Sequence, residues 1–574
     1  MLVLLPASAR AAGNPPGQPQ PQSAPPGTPA LVSSMNASPT GFRLTGSQVL
    51  AVAKRNATVV AELHKYPHLI SYVYTRTYPV WQVSWFTPPS SKRAQIEMIQ
   101  LYVDDTTGAV TQVWTGYQVA WTMARGYPGA FGRKVTALYI WLPLCLLFLA
   151  PFIPWRRRPT LWHLDLLMLL GMSVSLGFFN RADLGLSVPL IYPFMLYFFV
   201  RLLLLAWGRG IPREPLRAVI STRWLAVILI FLVAFRIGLN VVNSNVIDVG
   251  YAGVIGASKI VHDQPVYGNW PASNSAGDTY GPVNYFAYVP FEAIFGWSGT
   301  WDSLPAAHAA AIAFDLLTMA GLMVLGWSVR GPTGGVTLAY LWAAFPFTTY
   351  VLCSNSNDAL VALLMVVCLL VMRSPPARGF FAGLAALTKY APLVVAPLML
   401  RGIGPAPWAR TGGSRRRRPW LRPVLGFVIA YAVAIVLPML RVLVPGNLHA
   451  FWQDSIVYQE QRPAPFSIWG FWGGYNQSLR PEQHVWLALI VLLGVAVLVF
   501  PRGRRTLVQV AALAGALIIG LEMSVSYWFY LYIVWFFPMV VIALVLAHPD
   551  PGAPRKKRLE ALSSAPESAA PQLR

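Results

Sequence analysis

Apolar runs long enough to cross a membrane recur from residue 135 to residue 547. They read as 135–153, 161–180, 186–208, 223–242, 304–328, 334–352, 357–373, 424–444, 484–500, 506–523 and 528–547. About twenty apolar residues in a helix cover the ~30 Å of a hydrocarbon core. Inside that core every backbone amide needs a partner within the protein, so runs of this kind are predicted to be helices. Hydrophobic residues make up 55% of the chain and charged residues only 11%, which excludes an ordinary soluble protein.

The formal charge of +23 is concentrated at Arg156–Arg158, Arg415–Arg418, Arg502/Arg504/Arg505 and Arg555–Arg558, all flanking apolar runs. That is the pattern of loops held on the cytoplasmic side of a bilayer, and it predicts no nucleic-acid partner. Placing the N-terminal region outside puts these loops and the tail inside, at the plasma (inner) membrane. Asn180–Asp183, the loop after Asp248, Ser354–Asp358 and the loop from Pro445 to Glu482 then lie outside. One segment breaks the alternation. Phe380–Leu400 is long enough to span, yet the basic stretch Arg401–Arg422 follows it, and Lys389 and Pro392 interrupt it. A re-entrant pair of half-helices returning to the cytoplasm satisfies both facts. The three cysteines, Cys145, Cys353 and Cys368, lie at apolar runs without metal-ligand spacing.

Ahead of the bundle, residues 1–12 resemble the tail of a signal peptide, and 13 to about 40 are too rich in Pro, Gly, Ser and Gln to bury a core. From residue 45 to 131 the composition is globular. Ser47–Leu63 predicts an amphipathic helix, and Val80–Phe86, Ile96–Val103 and Ala109–Thr115 predict strands, with a turn at Asp104–Gly108. The run Gln100-Leu-Tyr-Val-Asp-Asp-Thr-Thr-Gly-Ala-Val-Thr resembles the strand–turn–strand of PepSY-like domains, which implies a small extracytoplasmic α+β module.

Chemistry concentrates in the outer loops. Asp248 follows the 223–242 span and opens a loop that also carries Tyr251, Lys259, Asp278, Tyr280 and Asn284. A carboxylate at the mouth of a helix bundle can do acid–base work on a lipid-linked substrate. Asp248 and Asp278 are the candidate catalytic residues, and Tyr251, Lys259, Tyr280 and Asn284 are candidates for substrate contact. The plainer readings are a helix cap or turn for each Asp and interfacial anchoring for the aromatics. An anionic leaving group would need cations nearby, for which Arg236, Lys389, Arg441 and Arg462 are the candidates. Charges inside spans cost ~2.5–3.5 kcal/mol each, so Asp165, Arg236, Asp315, Lys389 and Glu522 need partners or a cavity. A pair of Asp315 with Lys389 is one such solution, and Asn357-Asp358 reads most simply as a helix N-cap. No cofactor is demanded, although Asp248 and Asp278 are hard oxygen ligands able to share a divalent cation. No Walker loop or nucleotide fingerprint occurs.

The acidic residue opening a large first outer loop, the Tyr280-Gly-Pro-Val segment, Ser354-Asn-Ser-Asn-Asp358 and Ala386-Leu-Thr-Lys-Tyr-Ala-Pro392 together resemble the GT-C glycosyltransferases. The likeness spans about residues 223 to 545 and points to the polyprenol-phosphate-mannose-dependent group of actinobacterial type, glycosyltransferase family 87. With the apolar runs above, the expected fold is a polytopic α-helical membrane protein, GT-C-like, of about eleven spans plus a re-entrant helix pair, with the small α+β domain outside; that domain and the first three spans are not part of the minimal family pattern. The organisation would be 1–44 leader and Pro-rich segment, 45–131 outer domain, 132–222 anchor spans, 223–548 catalytic membrane domain and 549–574 basic tail. The resemblance further implies a polyprenyl-phosphate sugar donor, a glycolipid or envelope-glycan acceptor, and Asp248 as general base. A secondary transporter or lipid flippase and a non-catalytic receptor using the outer domain are the rival readings.

Overall fold

The computed structural model describes residues 28–89, 95–126, 129–153, 159–216, 218–403, 421–444, 446–461, 464–474 and 477–549. Arg462, among the candidate cations, and the leader and basic tail lie outside the described residues. The chain forms two compact units, one of residues up to Ala130 with Leu176–Ser187, the other of Phe131–Ser175 and Val188 onward. Residue 222, where the sequence suggests a boundary, falls inside the second unit.

Period-two patterning builds the first unit's sheet. Strands β1 (Ala30–Leu31), β2 (Ile70–Thr75), β3 (Val80–Phe86), β4 (Glu97–Asp104) and β5 (Val110–Thr115) pair in that order, all antiparallel. Trp81, Val83, Ile99, Leu101 and Val103 are buried with Val49, Ala53 and Val59 from the helices. Where one helix was expected over Ser47–Leu63, there are two, α1 (Gly46–Lys54) and α2 (Ala57–Lys65). Asn56 divides them because its side chain accepts from the Thr58 and Val59 amides and starts a new helix. The Pro-rich segment also contributes more than expected, since β1 lies within it. Asp105 fastens that end of the unit, accepting from the Arg43 and Leu44 amides and from Trp81 Nε1 at 2.8 Å.

The second unit is helical. Six helices of the structure are long and apolar enough to cross a membrane. Its helices begin with α3 (Leu138–Leu149), α4 (Leu161–Phe179), α5 (Leu184–Ala206) and α6 (Thr222–Val242). Two shorter helices in the outer loop follow, α7 (Asp248–Val261) and α8 (Pro282–Phe295). Next come α9 (Pro305–Ala344), α10 (Pro346–Cys353), α11 (Asp358–Leu370), α12 (Pro375–Ala386) and α13 (Ala396–Arg401). The bundle closes with α14 (Leu421–Leu443), α15 (Arg480–Ala496), α16 (Leu507–Glu522) and α17 (Ile533–Ala547). The expected spans 304–328 and 334–352 meet in α9, whose torsions leave the helical region at Arg330 and Gly331, just before Pro332.

The segment 375–401 folds back on itself. Helix α12 ends at Ala386, and the chain passes through a short 3₁₀ turn at Ala391–Val395 into α13. Arg378, in the first turn of α12, donates to Met399 O at 2.6 Å and Leu400 O at 3.2 Å, so the two ends of the segment are neighbours. The result is a hairpin with Leu387–Tyr390 at its tip.

Buried ion pairs join charges of the bundle, but not as the sequence suggested. Asp315 bonds to Arg236 rather than Lys389, and Lys389 bonds to Asp358 at 2.6 Å. Arg236 is fully buried and also donates to Ala343 O, Thr348 Oγ1 and Thr349 Oγ1. Asp165 pairs with Arg201 and accepts from Tyr197. Each partner is on another helix, a distance along the chain that local spacing does not reveal. Removing one partner strands the other charge, so Arg236→Met is expected to destabilise the protein by about 3–5 kcal/mol. The drop in thermal midpoint should be shared by Asp315→Asn, and the double variant should recover part of it.

Candidate active site

One end of the second unit is assembled on Asp248. Its strand-like approach is held by Asn245 N to Cys353 O (3.1 Å) and Ile247 N to Ser354 O (3.2 Å). Asn274 Nδ2 then fixes the Asp248 carbonyl at 2.9 Å. The side chain begins α7, is exposed, and finds the positive end of the helix dipole there. One turn in, Gly250 lies so close to the Asn355 carbonyl that a Cβ would come within 2.0 Å of it, so no other residue allows this approach.

The Ser354–Asp358 junction beneath is wholly buried. Asn357 stands at the N-cap position of α11, yet its side chain makes no cap; Nδ2 donates to Asn284 Oδ1 at 2.6 Å instead. Asp358 accepts from Lys389 Nζ, Trp535 Nε1 at 2.8 Å and Ser356 Oγ at 2.7 Å. Asn357-Asp358 is therefore a network node rather than the simple cap expected.

Lys389 sits at the hairpin tip, against the faces of Tyr280 and Tyr532 (each 5.3 Å from the ring centroid) and Trp535 (5.1 Å). Asp248 is also within electrostatic reach of its ammonium. Gly281 permits the contact between loop and tip, since a Cβ there would meet Leu387 O at 2.0 Å. The tip opens on a cavity of about 390 Å³. Its wall includes Tyr280, Tyr390, Tyr532 and Trp535, and the first turns of α15 present Arg480, Gln483 and His484 to it. Arg480 is partly engaged by Glu460 (3.2 Å) and Gln477 (2.8 Å). Arg480, His484 and Glu522 were not among the sequence candidates. Local spacing does not mark Arg480 or His484, and marks Glu522 only as a charge inside a span, because the cavity joins segments as far apart in the chain as Tyr280 and Trp535.

Other candidates lie elsewhere. Arg236 and Arg441 are not in the cavity wall: the first belongs to the buried pair above, and the second binds Asp263 and, at 3.2 Å, Ile260 O. Tyr251 is buried, stacked on Trp301 at 4.9 Å, and Asn284 is buried against Asn357. Lys259 closes the following loop by donating to Pro265, Gly268 and Asn269 carbonyls, and burial lowers its pKa. Among the described residues no three His, Cys, Asp or Glu side chains gather as a metal site.

Asp278 is buried and accepts from the Gly268 amide at 2.9 Å. Burial, reinforced by the nearby Asp454 carboxylate, pushes it up to about 6. It thus interacts with Asp454, on the segment that also supplies Ser455 Oγ to the Asp278 carbonyl at 3.0 Å. A carboxyl whose folded pKa exceeds its unfolded value stabilises the fold while protonated, and that stability is lost as pH rises from about 4 to 6. Melting curves are expected to show a loss of up to ~3 kcal/mol over that window, and Asp278→Asn should flatten it.

No family model matches the chain, and no curated protein resembles it. A solved structure does. The chain is similar to ArnT from Cupriavidus metallidurans, whose crystal structure holds undecaprenyl phosphate, at 17% identity and a TM-score of 0.38. The match covers 60% of this chain and 63% of that one, less than two thirds of its length. A likeness of that degree carries no statement of activity; the geometry has to do so.

Proposed function

We propose that the chain is a membrane glycosyltransferase that moves a sugar, mannose in the first instance, from a polyprenyl-phosphate donor to an envelope acceptor. The observation that carries this reading is Lys389. It is an ammonium at a re-entrant tip, enclosed by aromatic faces, paired with Asp358, within charge reach of Asp248, and opening on a cavity of ligand size.

In this reading the donor's phosphate lies toward Lys389 and Arg480, and Tyr532 and Trp535 offer flat apolar surface to the sugar. Asp248 takes the proton of the acceptor hydroxyl as that oxygen attacks the anomeric carbon. The bond from that carbon to the phosphate oxygen breaks, and the lipid phosphate leaves with the electron pair, its charge met by the cations. The acceptor is a glycolipid or an envelope glycan. We assign the protein to the inner membrane, with the chemistry and a PepSY-like N-terminal unit on the outer face and the tail in the cytoplasm. Within the GT-C enzymes it would stand near glycosyltransferase family 87.

The test is transfer of radiolabelled mannose from undecaprenyl-phosphate mannose to membrane acceptors by the purified chain. Time-dependent labelling is expected. A folded protein that transfers from no polyprenyl-phosphate sugar overturns the reading.

A further inference from the structure

Glu522 ends α16 and is 2% exposed, yet it forms part of the cavity wall. One carboxyl oxygen, Oε2, accepts from Trp528 Nε1 at 3.0 Å. The other, Oε1, is buried and has no hydrogen-bond partner among the described residues. Leaving such an atom without a partner costs about 1–3 kcal/mol, and more if the group is charged, so a native structure that keeps one is expected to use it. Gln483, another polar side chain of the wall, is committed elsewhere: its Nε2 donates to Ser524 O at 2.7 Å and Ser526 Oγ at 2.9 Å.

We propose that Glu522 is the specificity-determining residue of the cavity, its free oxygen reading a hydroxyl of the transferred sugar. The inference rests on the transferase reading above. Chemistry decides which part of the donor meets it. The Glu522 carboxyl offers a phosphate no positive charge. A phosphate is suited to the Lys389 and Arg480 side. What can approach Glu522 is a neutral hydrogen-bonding group, which on a polyprenyl-phosphate sugar means a ring hydroxyl. Trp528 holds Oε2 and leaves Oε1 for a partner, and a buried group placed to hydrogen-bond one hydroxyl discriminates strongly against a substrate that lacks it.

The experiment compares equilibrium binding of undecaprenyl phosphate and undecaprenyl-phosphate mannose to the full-length wild type, Glu522→Gln and Glu522→Ala. Glu522→Ala is expected to weaken the mannosyl lipid by at least about tenfold, the worth of one well-placed hydrogen bond. Binding of undecaprenyl phosphate should change less than about threefold. Glu522→Gln, which keeps the shape and an oxygen for Trp528, should fall between wild type and Glu522→Ala for the mannosyl lipid. A variant-free measurement stands beside these: among monodeoxy-mannosyl lipids, at least one should bind the wild type about tenfold more weakly. Equal loss of both lipids in Glu522→Ala, no loss of either, or a wild type indifferent to every deoxygenation overturns the proposal. A wild type that binds neither lipid overturns the transferase reading itself, which is a separate result.

Discussion

Asp248→Asn is expected to lower sugar transfer by ~10²- to 10⁴-fold, the usual contribution of a positioned general base. The substitution keeps shape and hydrogen bonding but removes the basic lone pair. Asp248 is exposed at a helix start, where a conservative change usually shifts stability by no more than about 0.5 kcal/mol. The melting temperature should therefore change little. The loss should appear in kcat with KM for the donor nearly unchanged, since the group acts on the acceptor proton in the transition state. Full activity in the folded variant would remove Asp248 from the mechanism and leave the base to be sought elsewhere.

Lys389→Met should be the most damaging single change, because it acts on fold and chemistry together. The ammonium is the charge partner of Asp358, which is fully buried with Trp535 Nε1 and Ser356 Oγ as further donors. Removing it leaves a buried carboxylate short of its counter-charge, at a cost of about 3–5 kcal/mol. The same change takes a cation from the side of the cavity assigned to the phosphate. A double variant separates the two effects. Lys389→Met with Asp358→Asn neutralises both partners and should recover much of the melting temperature, because no buried charge remains. Transfer should stay lost. If transfer returns with stability, Lys389 serves only the fold and the phosphate has another partner.

Two positions show how far the residues could be read along the chain. The break at Lys389 and Pro392 is legible, because a charge and a proline inside an apolar run disagree with a simple span, and the Arg378 bonds to Met399 and Leu400 close that segment into a hairpin. The partner of Lys389 is not legible. Asp315 and Asp358 are both acidic residues set in apolar runs of the bundle, and nothing in the spacing of either chooses between them. The structure chooses because Arg236, on α6, meets Asp315 on α9, while the hairpin tip meets the start of α11. Asn56 is the converse case. The apolar period runs through it as one helix, and its side chain, capping the Thr58 and Val59 amides, splits that helix in two.

By itself the sequence determined the helical membrane-type architecture, the α+β unit ahead of it, and a long loop opened by an exposed carboxylate. Those follow from hydrophobic period, length and charge sign, which are properties of neighbouring residues. Only the tertiary structure decided which charges neutralise one another and which residues share the cavity. Arg480, His484 and Glu522 meet Lys389 and Tyr280 there because helix packing brings their ends together. The energy of a buried charge is set by what lies within a few ångströms in space, and distance along the chain does not enter it.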